Sequence, residues 1–330
     1  MVKPRFDILG IGNAIVDVVA PVPDDFLAAH AMHKGAMALI DAGMAETLYG
    51  AMPPAQEVSG GSAGNTCAVA AALGARVAYF GKVADDQLGR VFRHDITAAG
   101  VHFPTAPLVD AAPTARCLIL VTPDGQRTMN TFLGACVTFG PEDVDADLVA
   151  DSAVTYLEGY LFDPPAAQAA FYAAAAAAHR AGRQVALSLS DAFCVERHRD
   201  AFRSLVEGHV DILFANETEI TALYQTDFAE AVERARADVA LAALTRSEAG
   251  STIIRGAETH HVAAMPTALV DSTGAGDAYA AGFLAAYTAG LGLAKCGALG
   301  SLAAAEVISH YGARPQRALG EELAKIAAQG

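Results

Sequence analysis

From about residue 150 onward the chain alternates short apolar runs with longer alanine-rich stretches, and that alternation leaves few folds open. Strands are expected at 154–157, 185–189, 212–214 and 239–244, and helices at 166–181, at 195–206 and from 220 onward. Strands that are apolar throughout need cover on both faces. With a helix between each pair, they imply a doubly wound, mostly parallel sheet in a three-layer α/β domain. Residues 6–11 read as a further buried strand, and helix 62–73, strand 77–80 and helix 87–99 extend the same texture.

Two segments break the pattern. Strands at 15–22 and 36–40 are separated by Pro21, Pro23 and Asp24-Asp25 with no long helical pattern between them. Runs 115–122 and 127–132 flank Pro123-Asp124-Gly125, a strong hairpin signal. The expectation is a large domain of residues 1–13, 60–103 and 138–330, with a small β lid inserted as 14–59 and 104–137. A lid of this kind closes over substrate and excludes water.

Composition narrows the partners. The chain is 53% hydrophobic and 18% charged, which fits a globular protein, and its net charge of −15 comes with no Lys/Arg run. Neither nucleic acid nor an anionic membrane is the expected partner. The five cysteines are odd in number and form no C-x-x-C pair, so neither a disulfide framework nor a structural zinc site is expected. Met1-Val2-Lys3-Pro4-Arg5 carries no apolar signal core, and the expected location is the cytoplasm.

Familiar nucleotide loops are absent. Gly10-Ile11-Gly12 lacks the third glycine and helix of a dinucleotide fingerprint, and Gly81-Lys82-Val83 is not a Walker A loop. Attention moves to Asp271-Ser272-Thr273-Gly274-Ala275-Gly276-Asp277, which opens a small-residue helix. Gly274, Ala275 and Gly276 would bare backbone N–H groups at a helix N-terminus, where orphan donors and the macrodipole both favour an anion. Asp277 is awkward there unless it takes a proton from a hydroxyl while the N–H groups hold a phosphoryl group. The plainer alternative is an acidic helix start after a glycine turn.

Gly60-Gly61-Ser62-Ala63-Gly64-Asn65-Thr66 is a second glycine turn entering a helix. It is either tight packing or a close approach to a polyhydroxy ligand, with Asn65 supplying donor and acceptor. Asp17 alternates against Val16 and Val18, so it faces either solvent or a vicinal diol. Asn216-Glu217-Thr218-Glu219 is a capping box after an apolar strand, and its amide and carboxylate also suit hydrated Mg²⁺ beside phosphates. Thr245 and Gly250 follow the next strand, where α/β folds bind ligands. His260-His261 point to opposite faces of a strand and are set aside as a metal site. Arg116 and Arg127 are expected on a solvated hairpin face.

These motifs, in this order, resemble the ribokinase-like (PfkB) carbohydrate kinases over nearly the whole chain. Within that family the adenosine kinases are most similar, through Gly12-Asn13-Ala14-Ile15-Val16-Asp17, Pro113-Thr114-Ala115-Arg116-Cys117 and Tyr156-Leu157-Glu158-Gly159-Tyr160. The resemblance implies phosphoryl transfer from Mg·ATP to the 5′-hydroxyl of a nucleoside, adenosine favoured, or to a sugar. It gives Asn13, Asp17, Gly61 and Asn65 the ribose, and Cys117, Leu133 and Tyr160 the base. Gly274, Ala275 and Gly276 become the anion hole and Asp277 the base. Asn216 and Glu219 order Mg²⁺ through water, and Thr245 and Gly250 line ATP. It also implies a K⁺-like ion near Asp271 and Gly312; separately, the edge of a lid sheet is either left free in a monomer or paired with a second copy in a lid-mediated homodimer. Thr273 and Glu158 depart from the adenosine kinase pattern, and both bear on base preference.

Overall fold

The computed structural model describes residues 3–328, so Met1 and Val2 of the N-terminal reading lie outside the described residues. The chain opens on β1 (Phe6–Ile11) and leaves it for β2 (Ile15–Pro21), β3 (Met37–Leu39) and β4 (Gln56–Gly60). It returns through helix Ser62–Ala72 to β5 (Val77–Phe80) and β6 (Val101–His102), then forms the hairpin β7 (Ala115–Val121) and β8 (Arg127–Phe132). Strands β9 (Ser152–Glu158), β10 (Gln184–Ser188), β11 (Ile212–Asn216) and β12 (Leu241–Thr245) follow with helices between them, and β13 (Ser251–Arg255) and β14 (Glu258–Val262) close the series.

One nine-stranded sheet runs β14-β13-β12-β11-β10-β9-β1-β5-β6, and a five-stranded sheet runs β3-β8-β7-β2-β4. The large sheet is parallel from β12 to β6, whereas β13 and β14 add antiparallel. Its two faces carry separate cores because side chains alternate along each strand. Val154 and Tyr156 of β9 pack with Phe92, Phe283 and Leu299, whereas Leu157 packs on the other face with Phe171, Phe202 and Leu223. This is the covered-on-both-faces sheet that the apolar strands required.

The small sheet differs from its sequence reading in one respect. Helices Asp24–Ala29 and Ala42–Ala51 lie where no helix was expected. Both are short, and the second buries only Ala45 and Leu48, so its apolar signal is weak. Its start was nevertheless written locally, since the Asp41 side chain caps the Met44 N–H at 2.8 Å. Along β2, Val16, Val18 and Ala20 are buried, which turns Asp17 to the opposite face.

The hairpin arginines correct the expectation of a solvated face. The Arg116 side chain is 7% exposed, pairs with Glu46, and lies over the Tyr49 ring at 5.5 Å. Arg127 is 11% exposed and pairs with Asp271, also donating to Thr273 Oγ1 at 3.1 Å. It therefore ties the small sheet to the segment ahead of the Gly274 turn. Hairpin geometry predicts which face an arginine takes, but not what the rest of the chain brings against that face.

Candidate active site

The C-terminal ends of the parallel strands gather most of the marked residues. In register, Leu157 stands beside Ile11, Glu158 beside Ser188, and Asn216 beside Thr245. Such an edge is where open α/β sheets bind ligands.

Asp277 sits half-buried in the first turn of helix Ala275–Thr288, which no side chain caps. The Ser62 hydroxyl donates to its Oδ1 at 2.6 Å, which joins the two glycine turns across 215 residues. Burial pushes the Asp277 carboxyl up to about 6, against hydrogen bonds from Ser62 and Asn65 and the charge of Arg314. Ala275 turns its own N–H back to Ser272 O at 3.2 Å, whereas a side chain added at Gly276 would meet only open space. Gly274 is left-handed at φ 77°, and a Cβ there would lie 2.6 Å from the Ala313 Cβ. Gly274→Ala is expected to lose about 2–4 kcal/mol in denaturant unfolding, from left-handed strain and overpacking together.

At the Gly60-Gly61 turn, Gly61 has φ 81°, and a Cβ would fall 2.1 Å from the Asn13 carbonyl oxygen. Only glycine fits there. The Asp17 carboxylate lies over the neighbouring Gly60, and Asp17 pairs in register with Cys117, whose Sγ accepts from Thr131 Oγ1 at 3.3 Å. Burial raises Asp17 to about 6, with Arg127 and Arg314 pulling down and Asp277 pushing up. Cys117 is buried and its thiol is pushed up to about 12, so it is a wall rather than a nucleophile.

Glu158 supplies what neither glycine turn can. It is 1% exposed, and its Oε1 accepts from the Asn13 N–H at 3.2 Å and the Asn13 Nδ2 at 2.8 Å. Its Oε2 accepts from the Ala63 N–H at 2.6 Å. Helix Ser62–Ala72 starts at Gly61 and has no side-chain cap of its own, so a carboxylate delivered from β9 takes that part. Burial raises Glu158 to about 7 against these same hydrogen bonds.

Asn216 and Glu219 bind each other. Glu219 accepts from the Asn216 N–H at 2.9 Å and Nδ2 at 2.6 Å, while Asn216 Oδ1 accepts from the Glu219 N–H at 2.8 Å. The capping box expected from the sequence is therefore complete. Glu219 is buried and raised to about 7, with Asp191 and Asp277 adding to the rise. Gly250 closes the turn between β12 and β13, where the Arg246 N–H donates to its carbonyl at 2.7 Å. Leu133 ends the hairpin at a 3-10 turn, and Tyr160 stands 40% exposed beyond β9.

Ser62, expected at most as the cap of its helix, lies inside that helix after Gly61 and spends its hydroxyl on Asp277 instead, while Arg314 and the pairing of Arg127 were not anticipated. Neither Arg314 nor the Arg127 pairing had a local signal, because their partners are far away in the chain. His260 lies 3.6 Å from Glu258 on its own strand. Among the described residues no group of three or more His, Cys, Asp or Glu could hold a metal directly, and no helix is long and apolar enough to cross a membrane. The five cysteines are free and buried.

Known proteins share this architecture. The solved structure of an adenosine kinase from Sinorhizobium meliloti is 56% identical with a TM-score of 0.90, covering 98% of this chain and 100% of that one. A probable sugar kinase protein from Rhizobium etli CFN 42 is 53% identical with a TM-score of 0.90, covering 98% and 99%. The adenosine kinase of Saccharomyces cerevisiae is 28% identical over 331 residues, 92% of this chain and 94% of its own length. The model of the pfkB family of carbohydrate kinases matches residues 44–318, and the chain belongs to that family of phosphotransferases.

Proposed function

We propose that this kinase transfers the terminal phosphoryl group of ATP to the 5′-hydroxyl of a nucleoside, with adenosine as the favoured acceptor. The observation that carries the reading is Asp277, ionised above about pH 6 and held by Ser62 at the uncapped start of helix Ala275–Thr288. A carboxylate there accepts the acceptor's proton as the new P–O bond forms, while first-turn N–H groups face the transferring charge.

The remaining residues orient the acceptor. Asp17 and Asn13 take the ribose hydroxyls beside the Gly60-Gly61 turn, and Asn65 adds its amide. Cys117, Leu133 and Tyr160 form an apolar and aromatic wall suited to a purine, Tyr160 by stacking. Thr245 and Gly250 line the nucleotide along the strand edge next to Asn216. The oxygen donors of Asn216 and Glu219 are engaged with each other, which suits a Mg²⁺ ion held through water rather than directly. When bound, Mg²⁺ supplies charge neutralisation on the phosphates. A K⁺-like ion near Asp271 would rely on backbone carbonyls, because Arg127 already meets that carboxylate.

A sugar kinase is the second reading, favoured by the Rhizobium etli relative. Turnover with Mg·ATP across adenosine, inosine, guanosine, ribose, fructose and a keto-deoxy sugar acid decides between them. A kcat/KM for sugars above that for every nucleoside would reject the nucleoside reading. Binding without turnover of any acceptor would leave a nucleotide-binding regulator.

The pH dependence follows from the carboxyls. Asp277 and Asp17 sit near 6 and Glu158 near 7, and each works in its ionised form. As pH falls through 7 and then 6, kcat/KM should drop more steeply than one proton allows. A flat profile down to pH 5 would count against Asp277 as the base.

A further inference from the structure

Arg314 enters the site from the far end of the chain. Its Nε donates to Asn65 Oδ1 at 2.9 Å, and its Nη2 donates to Ser59 O at 2.7 Å and Ser59 Oγ at 3.1 Å. Both anchors are fixed. Ser59 is 1% exposed and gives its own N–H to Asp95 Oδ2 at 2.9 Å, and Asn65 is 6% exposed in the first turn of helix Ser62–Ala72. The segment carrying Arg314 is pinned on either side. The Gly312 N–H donates to Asp271 Oδ2 at 3.1 Å, and the N–H groups of Gln316 and Arg317 donate to Glu306 Oε1 at 3.0 and 3.2 Å.

A guanidinium has donors and no acceptor. The end of the Asn65 carboxamide facing Arg314 must therefore be its oxygen, which sends the amino end the other way. Asp277 is the neighbour there: its Oδ1 accepts at 2.6 Å from Ser62, three residues before Asn65 in the same helix, and the Asn65 side chain is among the groups that lower its carboxyl. We propose that Arg314 is a positioning residue that sets the Asn65 carboxamide with its amino end toward the Asp277 carboxylate. The proposal rests on Asp277 being the base.

Asn65 then meets ligand and base chiefly as a donor, rather than as the two-way partner its sequence context allowed. The groups that exchange charge effects with Asp277 are Arg314, Asp17, Glu158, Glu219, Tyr156 and Tyr160. Arg314 is the cation among them, the others being three carboxyls and two phenols whose own ionisation is pushed up. Losing it removes both a charge and the constraint on Asn65, so a test must separate the two.

Arg314→Met is expected to lower kcat/KM for the acceptor by about 10–100-fold, the scale of one or two lost charge-assisted hydrogen bonds. Its acid limb should move up by about one pH unit. Asn65→Ala should cost a similar factor, and the double variant no more than the worse single one, because the two act as a unit. Arg314→Lys keeps the charge beside Asp17 but cannot span Asn65 and Ser59 together. Its limb should stay shifted, and this variant serves if Arg314→Met does not fold.

Losses that multiply in the double variant would overturn the proposal. So would a wild-type acid limb in Arg314→Met or in Arg314→Lys, the latter reducing Arg314 to charge compensation. The acceptor used is whichever the wild type phosphorylates, so a sugar would retire the nucleoside reading without touching this test. If nothing is phosphorylated, the limb is read as the Asp277 carboxyl titration, by NMR difference against Asp277→Asn.

Discussion

Replacing Asp277 with Asn should lower kcat by roughly two to four decades while acceptor and nucleotide still bind, the usual scale for a lost general base. The side chain keeps its shape, and its oxygen can still accept from Ser62. Only the proton acceptor is gone. An unchanged kcat would remove Asp277 from the chemistry. The same substitution should make the protein more stable at pH 8, and the sign follows from linkage. The folded Asp277 carboxyl sits near 6 instead of its ordinary 3.8, so folding favours its protonated form. Stability is therefore full below the unfolded value and falls as pH rises toward 6, by up to about 3 kcal/mol at 1.36 kcal/mol per unit. The amide of the Asp277→Asn variant carries no such charge and escapes that loss. Its gain in melting temperature should be a few degrees at pH 8 and should narrow as pH drops through 6.

Asp17→Ala should act on the other kinetic constant. A carboxylate holding a vicinal diol makes two charge-assisted hydrogen bonds, each about 1.5–3 kcal/mol. Acceptor KM is expected to rise about 100-fold or more, with kcat within about tenfold and the KM for ATP unchanged. The geometry supports that division. Asp17 lies over Gly60 on the face of β2 opposite its buried valines, whereas Thr245 and Asn216 stand on β12 and β11. An acceptor KM equal to wild type would return Asp17 to a structural part beside Arg127 and Arg314.

The two substitutions divide the site into a proton-transfer end and a sugar end. Glu158 joins them physically. It fixes Asn13 on one side and Ala63 on the other, and Ala63 adjoins the Ser62 that holds Asp277. The acid that looked like a departure in the floor segment is thus the cap that helix Ser62–Ala72 lacks. Sequence alone raised the question of Glu158 and could not answer it, because its partners are 95 and 145 residues away.

Local features were legible for local reasons. A glycine turn, a capping box and a strand's alternation are settled by atoms a few residues apart, so Gly61, Gly274, the Asn216–Glu219 pair and the facing of Asp17 followed from the sequence. The alternation of apolar strands and helices likewise carried the parallel sheet. The weakly patterned helices Asp24–Ala29 and Ala42–Ala51 did not follow, since each buries too little to leave a periodic signal. The antiparallel addition of β13 and β14 was also unmarked.

What the sequence determined by itself was local: where the glycine turns and the capping box lie, and which face of its strand Asp17 takes. Which side chains meet across those turns was decided only by tertiary structure. Ser62 reaches Asp277 across 215 residues, Arg127 reaches Thr273 across 146, and Arg314 reaches Asn65 across 249. Such pairings depend on how the two sheets and the C-terminal segment pack, and packing is a property of the whole chain. The charge state of the site depends on the same packing, because burial and those distant partners, rather than neighbours in sequence, set the carboxyls.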